Sequence, residues 1–369
     1  MEKSVLKIIS FAAVISCASL ASCLKEDSLK LPFTTYIPVN LNDGWELSTP
    51  AQEGVNEAEL QKIYRFYHES SDLWQVRSLL VFRNNKLIAE SYTKNPDERS
   101  RPVPVWSCTK QIMGILTGIA VEQGFIDDIH DHIQKYLPEE ISRHPDKGSI
   151  TIQNLLQMQS GIAFSNDGFN GESNKLLKEA PSGSLDFILG LPAFSRQGEQ
   201  FHYNDGDPHI ISAILQQQTG KTTGDWAKEV LFSKLGMKNY DWAVYKDGIT
   251  MGGFGIMATP REMARIGSLA LNRGNWNGRR IINPAWIDEM TSVKVPKEKV
   301  NTDAVSFGYQ WWVDESRDIF FMWGKGGQFV IVKPGKNLIM ATTADPNDGN
   351  AFELGSALNI FDRIDHITN

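Results

Sequence analysis

The 369-residue chain has an ordinary globular composition, with 41% hydrophobic residues, 30 glycines and 16 prolines, which excludes a fibrous or largely disordered protein. Its net charge of -7 arises from interspersed acidic and basic residues without a Lys/Arg-rich block, which argues against a nucleic-acid-binding surface. Two of the three cysteines, Cys17 and Cys23, lie near the N-terminus, so no disulfide framework is available, and Cys108 is expected to be a small buried apolar residue.

Residues 1–22 have the features of a secretory signal peptide. Two lysines precede an apolar run at 8–15, which is shorter than the roughly 20 residues that a membrane-spanning helix needs. The sequence Leu-Ala-Ser-Cys at 20–23 resembles a bacterial lipobox, which predicts lipid attachment at Cys23. We therefore expect a lipid-anchored protein of the cell envelope, periplasmic or exposed at the cell surface. A plain secretory signal with an incidental cysteine is the alternative.

Residues 23–42 contain two prolines and show no periodicity, which predicts a tether that links the anchor to the fold. No linker divides the sequence after this point, so residues 43–369 are expected to form a single domain.

Hydrophobic spacing predicts a helix at 51–67, two strands at 78–92 joined by the turn pair at 84–85, and a second helix at 107–122. The middle of the chain is expected to be mainly helical, with helices at 150–156, 185–191, 208–219, 225–235, 260–271 and 284–290. Strands return at 307–313, 320–323, 328–332 and 338–343. This order predicts an α+β fold in which both chain ends form one antiparallel sheet flanked by helices, with a large helical region inserted between them.

The first chemical signal is a serine followed three residues later by a lysine at the start of a predicted helix. Residues three apart lie on one side of a helix, so the Lys110 amine can reach the Ser107 hydroxyl. Three other Ser-x-x-Lys sequences occur, but two belong to the targeting region and one ends a strand. A helix N-terminus favours negative charge developing on or near the serine oxygen. Ser107 is therefore expected to be a nucleophile, with a helix-capping serine beside an exposed lysine as the alternative.

Two further candidate catalytic sequences follow along the chain, around Tyr203 and Lys325, and we call these two and the Ser107–Lys110 pair the three stations of the site. Tyr203 lies in a loop before a predicted helix, where catalytic groups are often found. Lys325 precedes two glycines and a strand, and glycines let the backbone approach a ligand closely.

These three stations resemble the serine β-lactamase and penicillin-binding-protein superfamily, and most closely its class C-like branch, which includes carboxylesterases and 6-aminohexanoate-dimer hydrolases. The similarity covers roughly residues 50–365 and is reinforced by the sequences at 155–161, 252–255 and 307–312. It implies a β-lactamase/transpeptidase-like fold and acyl-enzyme chemistry. The chain departs from the pattern at Asp205, where an asparagine is usual, and at the Lys-Gly-Gly sequence of 325–327.

The resemblance implies that Lys110 and Tyr203 share the proton transfers during attack by Ser107, and which of them is the acylation base stays open. It also implies an oxyanion hole formed by the backbone N–H groups of Ser107 and Gln328.

Around these groups, Lys325 and Gly327 are expected to contact the substrate. Asp205 is placed in the same part of the site, although capping of the helix at Pro208 is its more favoured role. His202, beside the tyrosine, is expected to be a hydrogen-bonded structural residue.

The two histidines at 130 and 132 lack a third ligand, and no metal or other cofactor is expected. Neither a Gly-x-Ser-x-Gly nor a His-Glu-x-x-His sequence occurs. The predicted function is a cell-envelope serine hydrolase that cleaves an ester, amide or β-lactam-type bond of a small-molecule or peptide substrate through an acyl-enzyme on Ser107. The alternative is a non-hydrolytic, penicillin-binding-like binder or sensor of cell-wall peptides.

Overall fold

The computed structural model describes residues 30–166, 172–300, 305–345 and 352–369. The predicted signal peptide and Cys23 lie outside the described residues.

The strands are β1 (Glu46–Leu47), β2 (Val76–Arg83), β3 (Lys86–Tyr92), β4 (Val103–Pro104), β5 (Tyr240–Trp242), β6 (Ile256–Ala258), β7 (Asn275–Trp276), β8 (Arg279–Arg280), β9 (Ser306–Phe307), β10 (Trp312–Asp314), β11 (Ile319–Gly324), β12 (Gln328–Lys333) and β13 (Leu338–Ala344). The α-helices are α1 (Glu57–Glu69), α2 (Cys108–Glu122), α3 (Pro138–Arg143), α4 (Ile152–Leu156), α5 (Glu172–Glu179), α6 (Ser184–Leu189), α7 (Gly206–Thr219), α8 (Thr223–Ala227), α9 (Ser233–Leu235), α10 (Pro260–Leu271), α11 (Pro284–Met290) and α12 (Leu354–His366).

The main sheet has eight strands in the order β1-β3-β2-β13-β12-β11-β10-β9, so strands from both chain ends meet at the β2–β13 pair. This confirms the predicted α+β fold. The pairing is antiparallel except at one edge, where β1 runs parallel to β3, a pairing that the predicted all-antiparallel sheet does not include. The β2–β3 hairpin turns at Asn84 and Asn85, whose positive φ angles of 51° and 61° suit asparagine.

The sheet buries apolar residues on both faces because alternate side chains of its strands point in opposite directions. On one face, Leu80, Phe82 and Val330 pack into a core that includes α2, α7 and α10. On the other face, Leu79, Val81 and Ile331 pack against α1 and α12. The sheet is therefore the middle layer, and the mainly helical region covers only one of its faces.

Part of the predicted tether is packed onto the body. The backbone N–H of Leu31 donates to the Thr93 carbonyl at 2.6 Å, and that of Glu90 donates to the Tyr36 carbonyl at 2.8 Å. The Tyr36 side chain is buried. We call residues 30–43 the strap. The prediction missed its docking because the strap is irregular: it is held by backbone hydrogen bonds to β3 and the residues after it, and it shows no hydrophobic periodicity of its own.

Other elements also differ from prediction. The segment 307–313 was expected as one strand but forms β9 and β10, separated by a turn in which Gln310 has a φ of 65°. The C-terminal helix α12, which was not predicted, packs against α1. Among the described helices, none combines the length and the apolar character needed to span a bilayer.

Candidate active site

Ser107 immediately precedes α2 and is held by a tight junction between that helix and the sheet. Its side chain makes no capping hydrogen bond to the helix, which leaves the hydroxyl available for other contacts. Trp106 before it has a φ of 49°, a conformation that is costly for a bulky side chain. Gly324 at the end of β11 lies so close to the backbone before Trp106 that a Cβ added to Gly324 would be 2.3 Å from the Val105 carbonyl oxygen. The backbone at Trp106 is therefore strained, and this conformation places the Ser107 hydroxyl at the start of α2.

Lys110 lies one helical turn further on and is completely buried. Its ammonium donates to Ser107 Oγ at 2.9 Å, to the Gly253 carbonyl at 2.7 Å, and to Asp205 Oδ1 in a close ion pair. Burial alone would lower the pKa of Lys110, but the Asp205 carboxylate and Tyr203 outweigh burial and raise that pKa above its usual value.

Asp205 occupies the N-cap position of α7, but its carboxylate does not cap the helix. This corrects the expected capping role, because both carboxylate oxygens are engaged elsewhere. Oδ1 accepts from Lys110, and Oδ2 accepts from the Asn174 side chain at 2.7 Å. The backbone N–H of Asp205 donates to Asn166 Oδ1 at 3.0 Å. Asp205 is thus part of the charge network beneath the nucleophile.

Tyr203 lies beside the nucleophile, Ser107. Its ring packs 5.3 Å from the Trp312 ring, and Lys110 Nζ lies 4.8 Å from its centroid. Burial raises the pKa of the Tyr203 phenol above its usual value, while the Lys110 charge and a hydrogen bond with Ser107 act in the opposite direction. The structure therefore brings Ser107, Lys110 and Tyr203 together.

The third station lies at the turn between β11 and β12. Gly326 and Gly327 have φ angles of 83° and 116°, which favour glycine. A Cβ on Gly327 would lie 2.7 Å from the Cβ of Phe352. Lys325 is exposed at the mouth of the cleft, 5.8 Å from the centroid of the Trp106 ring, and partial desolvation lowers its pKa.

Gln328 begins β12 with its side chain turned away from the cleft. The side-chain amide donates to the Ala344 carbonyl, and its oxygen accepts from the Ala344 N–H at 3.4 Å. These bonds fix the start of β12 against the end of β13. The Gln328 backbone carbonyl accepts from the buried Cys108 thiol at 3.4 Å, which holds the strand close to the start of α2.

A cleft of about 300 Å³ opens above these groups. It is lined by Ser107, Tyr203, Trp312, Trp323, Gly324 and Lys325. Two indole rings and a phenol thus form apolar walls beside the nucleophile, with one ammonium group at the rim.

The prediction missed two residues of the site, Gly253 and Asn174. The glycine-rich sequence at 252–255 signalled a close approach of the backbone, since a Cβ on Gly253 would lie 2.6 Å from the Cβ of Asp205. Asn174 on α5 carried no such signal. His202 has a structural contact, with Nε2 2.6 Å from the Phe164 carbonyl oxygen. Within the described ranges, no cluster of three or more His, Cys, Asp or Glu side chains could hold a metal ion.

Residues 77–362 match the protein-family model described as Beta-lactamase. A 6-aminohexanoate-dimer hydrolase from Paenarthrobacter ureafaciens is 24% identical over 255 residues, which are 64% of this chain and only 63% of that relative. A Bacillus anthracis structure assigned as a 6-aminohexanoate-dimer hydrolase is similar with a TM-score of 0.73 and 21% identity, covering 94% of this chain and 92% of that one. A family VIII carboxylesterase structure is similar with a TM-score of 0.68 and 16% identity, covering 84% and 97% of the two chains.

The matched residues make up most of the chain and include all three stations of the site. The chain therefore belongs to the Beta-lactamase family.

Proposed function

We propose that the protein is a cell-envelope hydrolase that cleaves an ester or amide bond through an acyl-enzyme on Ser107. The observation that carries the proposal is the position of the Ser107 hydroxyl between the buried Lys110 ammonium and the Tyr203 phenol at the floor of an open cleft. A nucleophile within hydrogen-bond reach of groups that can move its proton is the arrangement that covalent acyl transfer requires.

In this mechanism Ser107 Oγ attacks the substrate carbonyl while its proton passes into the Lys110–Tyr203 pair. The same pair returns a proton to the departing amine or alcohol, and water then hydrolyses the ester on Ser107. The backbone N–H groups of Ser107 and Gln328 would stabilise the oxyanion, with each donor contributing about 2.7 to 4 kcal/mol. Consistent with this role, the Ser107 N–H has no hydrogen-bond acceptor among the described residues.

The cleft supports a substrate with an apolar group beside the scissile bond. Trp312 and Trp323 offer flat apolar surfaces next to Ser107, and such rings bind aliphatic and aromatic groups well. The relatives named above include, by their names, a 6-aminohexanoate-dimer hydrolase and a carboxylesterase. Both amide and ester bonds are compatible with the chemistry of Ser107. We favour a small linear amide or ester.

The envelope location rests on the lipobox sequence at 20–23 and on the short distance to the docked strap. Six residues lie between Cys23 and Lys30, the first described residue, so even a fully extended linker would span roughly 25 Å at most. A lipid on Cys23 would therefore hold the catalytic body close to the membrane.

Probe labelling of the purified protein tests the nucleophile. We expect a fluorophosphonate to label the wild-type protein on the peptide that contains Ser107, and not to label Ser107→Ala. Absent labelling of the wild type, or labelling that survives the substitution, contradicts the proposal. Panels of p-nitrophenyl esters, linear amides, a chromogenic cephalosporin and D-Ala-D-Ala peptides then rank the substrate classes, and labelling without turnover of any of them would favour a binder.

Mass spectrometry of the native membrane fraction tests the location separately. We expect a lipid mass increment on the N-terminal peptide that begins at Cys23, and loss of membrane association in Cys23→Ala. An unmodified cysteine would contradict the anchor without affecting the hydrolase assignment.

A further inference from the structure

The buried ammonium of Lys110 uses all of its donors. An ammonium group has three N–H donors, and Lys110 has three acceptors, the Asp205 carboxylate, the Gly253 carbonyl and Ser107 Oγ. A neutral amine would leave the carboxylate of Asp205 buried without the cation that it contacts, which is strongly unfavourable. With Lys110 charged, Ser107 Oγ accepts from the lysine, so the hydroxyl hydrogen of Ser107 must be donated elsewhere.

We propose that Asp205 is a positioning residue that pairs with the Lys110 ammonium, offsets the lysine charge that acts on the Tyr203 phenol, and leaves Tyr203 as the group that accepts the Ser107 proton. This proposal rests on the proposed function and deepens it. Asn174 supports the arrangement because its amide donates to the second oxygen of Asp205 at 2.7 Å and fixes the plane of the carboxylate.

Each proton has a defined path in this scheme. The Tyr203 phenolate takes the hydrogen of Ser107 while Oγ forms a bond to the carbonyl carbon and the carbonyl electrons move to its oxygen. When the tetrahedral intermediate collapses, the bond to the leaving group breaks and the Tyr203 phenol returns the proton to that group. Lys110 gains and loses no proton in either step.

The ion pair also changes the charge that the phenol experiences. An asparagine at position 205 would leave the lysine charge unopposed and would favour the phenolate of Tyr203, whereas the carboxylate of Asp205 neutralises much of that charge. Burial raises the pKa of Tyr203, Lys110 opposes this rise, and Asp205 adds to it. The site of this chain is therefore expected to need a higher pH than a site with asparagine there.

Other ionisable groups lie around this network. Tyr245 is in electrostatic contact with Asp205, and burial together with Asp205 raises its pKa. Asp207, on the first turn of α7, accepts from Ser160 at 2.6 Å, and Lys325 lies at the cleft mouth beside Trp106. The pair with Lys110 is the direct contact that distinguishes Asp205 from these groups.

The test is the pH dependence of kcat/KM for a p-nitrophenyl ester in Asp205→Asn. We expect the acidic limb of the profile to move to lower pH by about 1 to 3 units, because the variant leaves the Lys110 charge unopposed. Asp205→Glu keeps the charge and should keep the limb near its wild-type position. Asp207→Asn removes another buried carboxyl group of the same helix and should move the limb less. An unmoved limb in Asp205→Asn, a shift to higher pH, or equal shifts in the two asparagine variants would overturn the proposal.

A second readout does not depend on turnover. Ultraviolet titration of the phenolate, taken as the difference between Ser107→Ala and Ser107→Ala/Tyr203→Phe, reports the ionisation of Tyr203 alone. Adding Asp205→Asn should lower its midpoint by a similar amount, and an unchanged midpoint overturns the inference. Asp205→Ser, also neutral, carries the same expectation if the asparagine variant does not fold. Inactive wild-type protein would contradict the proposed function, whereas the titration would still test the role of Asp205.

Discussion

Two buried cations, Lys110 in the cleft and Arg261 on α10, are both held by carboxylates, and they differ in what their remaining donors contact. The Arg261 guanidinium donates to the Glu90 and Asp43 carboxylates and to the Val39 carbonyl. None of these acceptors lines the cleft above Ser107. Lys110 directs one donor to the hydroxyl of Ser107.

Arg261 is a structural cation, whereas Lys110 contacts the nucleophile. The Arg261 cluster joins the strap and β3 to α10, and a guanidinium does not lose its proton in proteins. The Lys110 cluster lies below an open cleft and includes an ammonium, a phenol and a carboxylate, whose ionisation states depend on one another. Burial and ion pairing are common to both clusters, so the hydroxyl partner and the cleft identify the functional one.

The largest effect on activity is expected for Lys110→Met. The substitution removes the charge beside Ser107 and Tyr203, and kcat/KM for an ester should fall by about 10²- to 10⁴-fold. Lys147→Met is the matched control, since Lys147 is also buried but pairs with Asp146 away from the cleft. Near-normal turnover in Lys110→Met, with the fold verified by circular dichroism, would remove the distinction between the two clusters.

Arg261→Met should reverse this pattern, with a large loss of stability and little change in the chemistry of the folded protein. It leaves Glu90 buried and without its bidentate partner, which we expect to lower the free energy of unfolding by about 3 to 5 kcal/mol in urea titrations. Arg273→Met, which breaks an exposed pair with Asp288, should change stability little. A specific loss of kcat in folded Arg261→Met would show that this cluster also serves the reaction.

Gly327→Ala probes the backbone next to the oxyanion hole. The added methyl group meets Phe352 at a φ that alanine rarely adopts, and the strain should lower stability by about 1 to 3 kcal/mol. We also expect a fall in kcat/KM, because relief of the clash moves the Gln328 N–H. Gly355→Ala in α12, where the methyl group meets no neighbour within 4 Å, should preserve activity. Equal activity in both variants would argue against the assigned oxyanion donor.

The smallest effect on activity is expected at Asp207, a buried carboxyl group without a cation among its described contacts. Burial raises its pKa to about 7. The native state therefore binds more protons than the unfolded chain between about pH 4 and pH 7, and stability should fall across this range as pH rises, by at most about 1.4 kcal/mol per unit. Asp207→Asn should flatten that slope in thermal unfolding, whereas exposed Asp241→Asn should retain it. A wild-type slope in Asp207→Asn would refute the assignment.

Local signals in the sequence predicted much of the fold. The helices at 260–271 and 284–290 have the predicted bounds because Thr259 and Asn283 cap them ahead of a proline. The hairpin at Asn84 was also readable from its turn residues.

Long-range contacts could not be predicted in the same way. The ion pair of Lys110 joins residues 95 positions apart, and the sequence around Asp205 favoured a helix cap over a place in the site. The docking of Tyr36 on β3 depends on backbone groups rather than on a side-chain pattern. The three stations were found because each combines a chemically reactive side chain with a local backbone signal, which Asn174 lacks.

The most direct test of the account is to trap the covalent intermediate formed from a substrate. Wild-type protein mixed rapidly with a slowly turned-over p-nitrophenyl ester, quenched in acid and digested, should show the acyl mass on Ser107, formed at the rate of the p-nitrophenol burst. Acylation of another residue, or turnover in Ser107→Ala at the wild-type rate, would contradict the account.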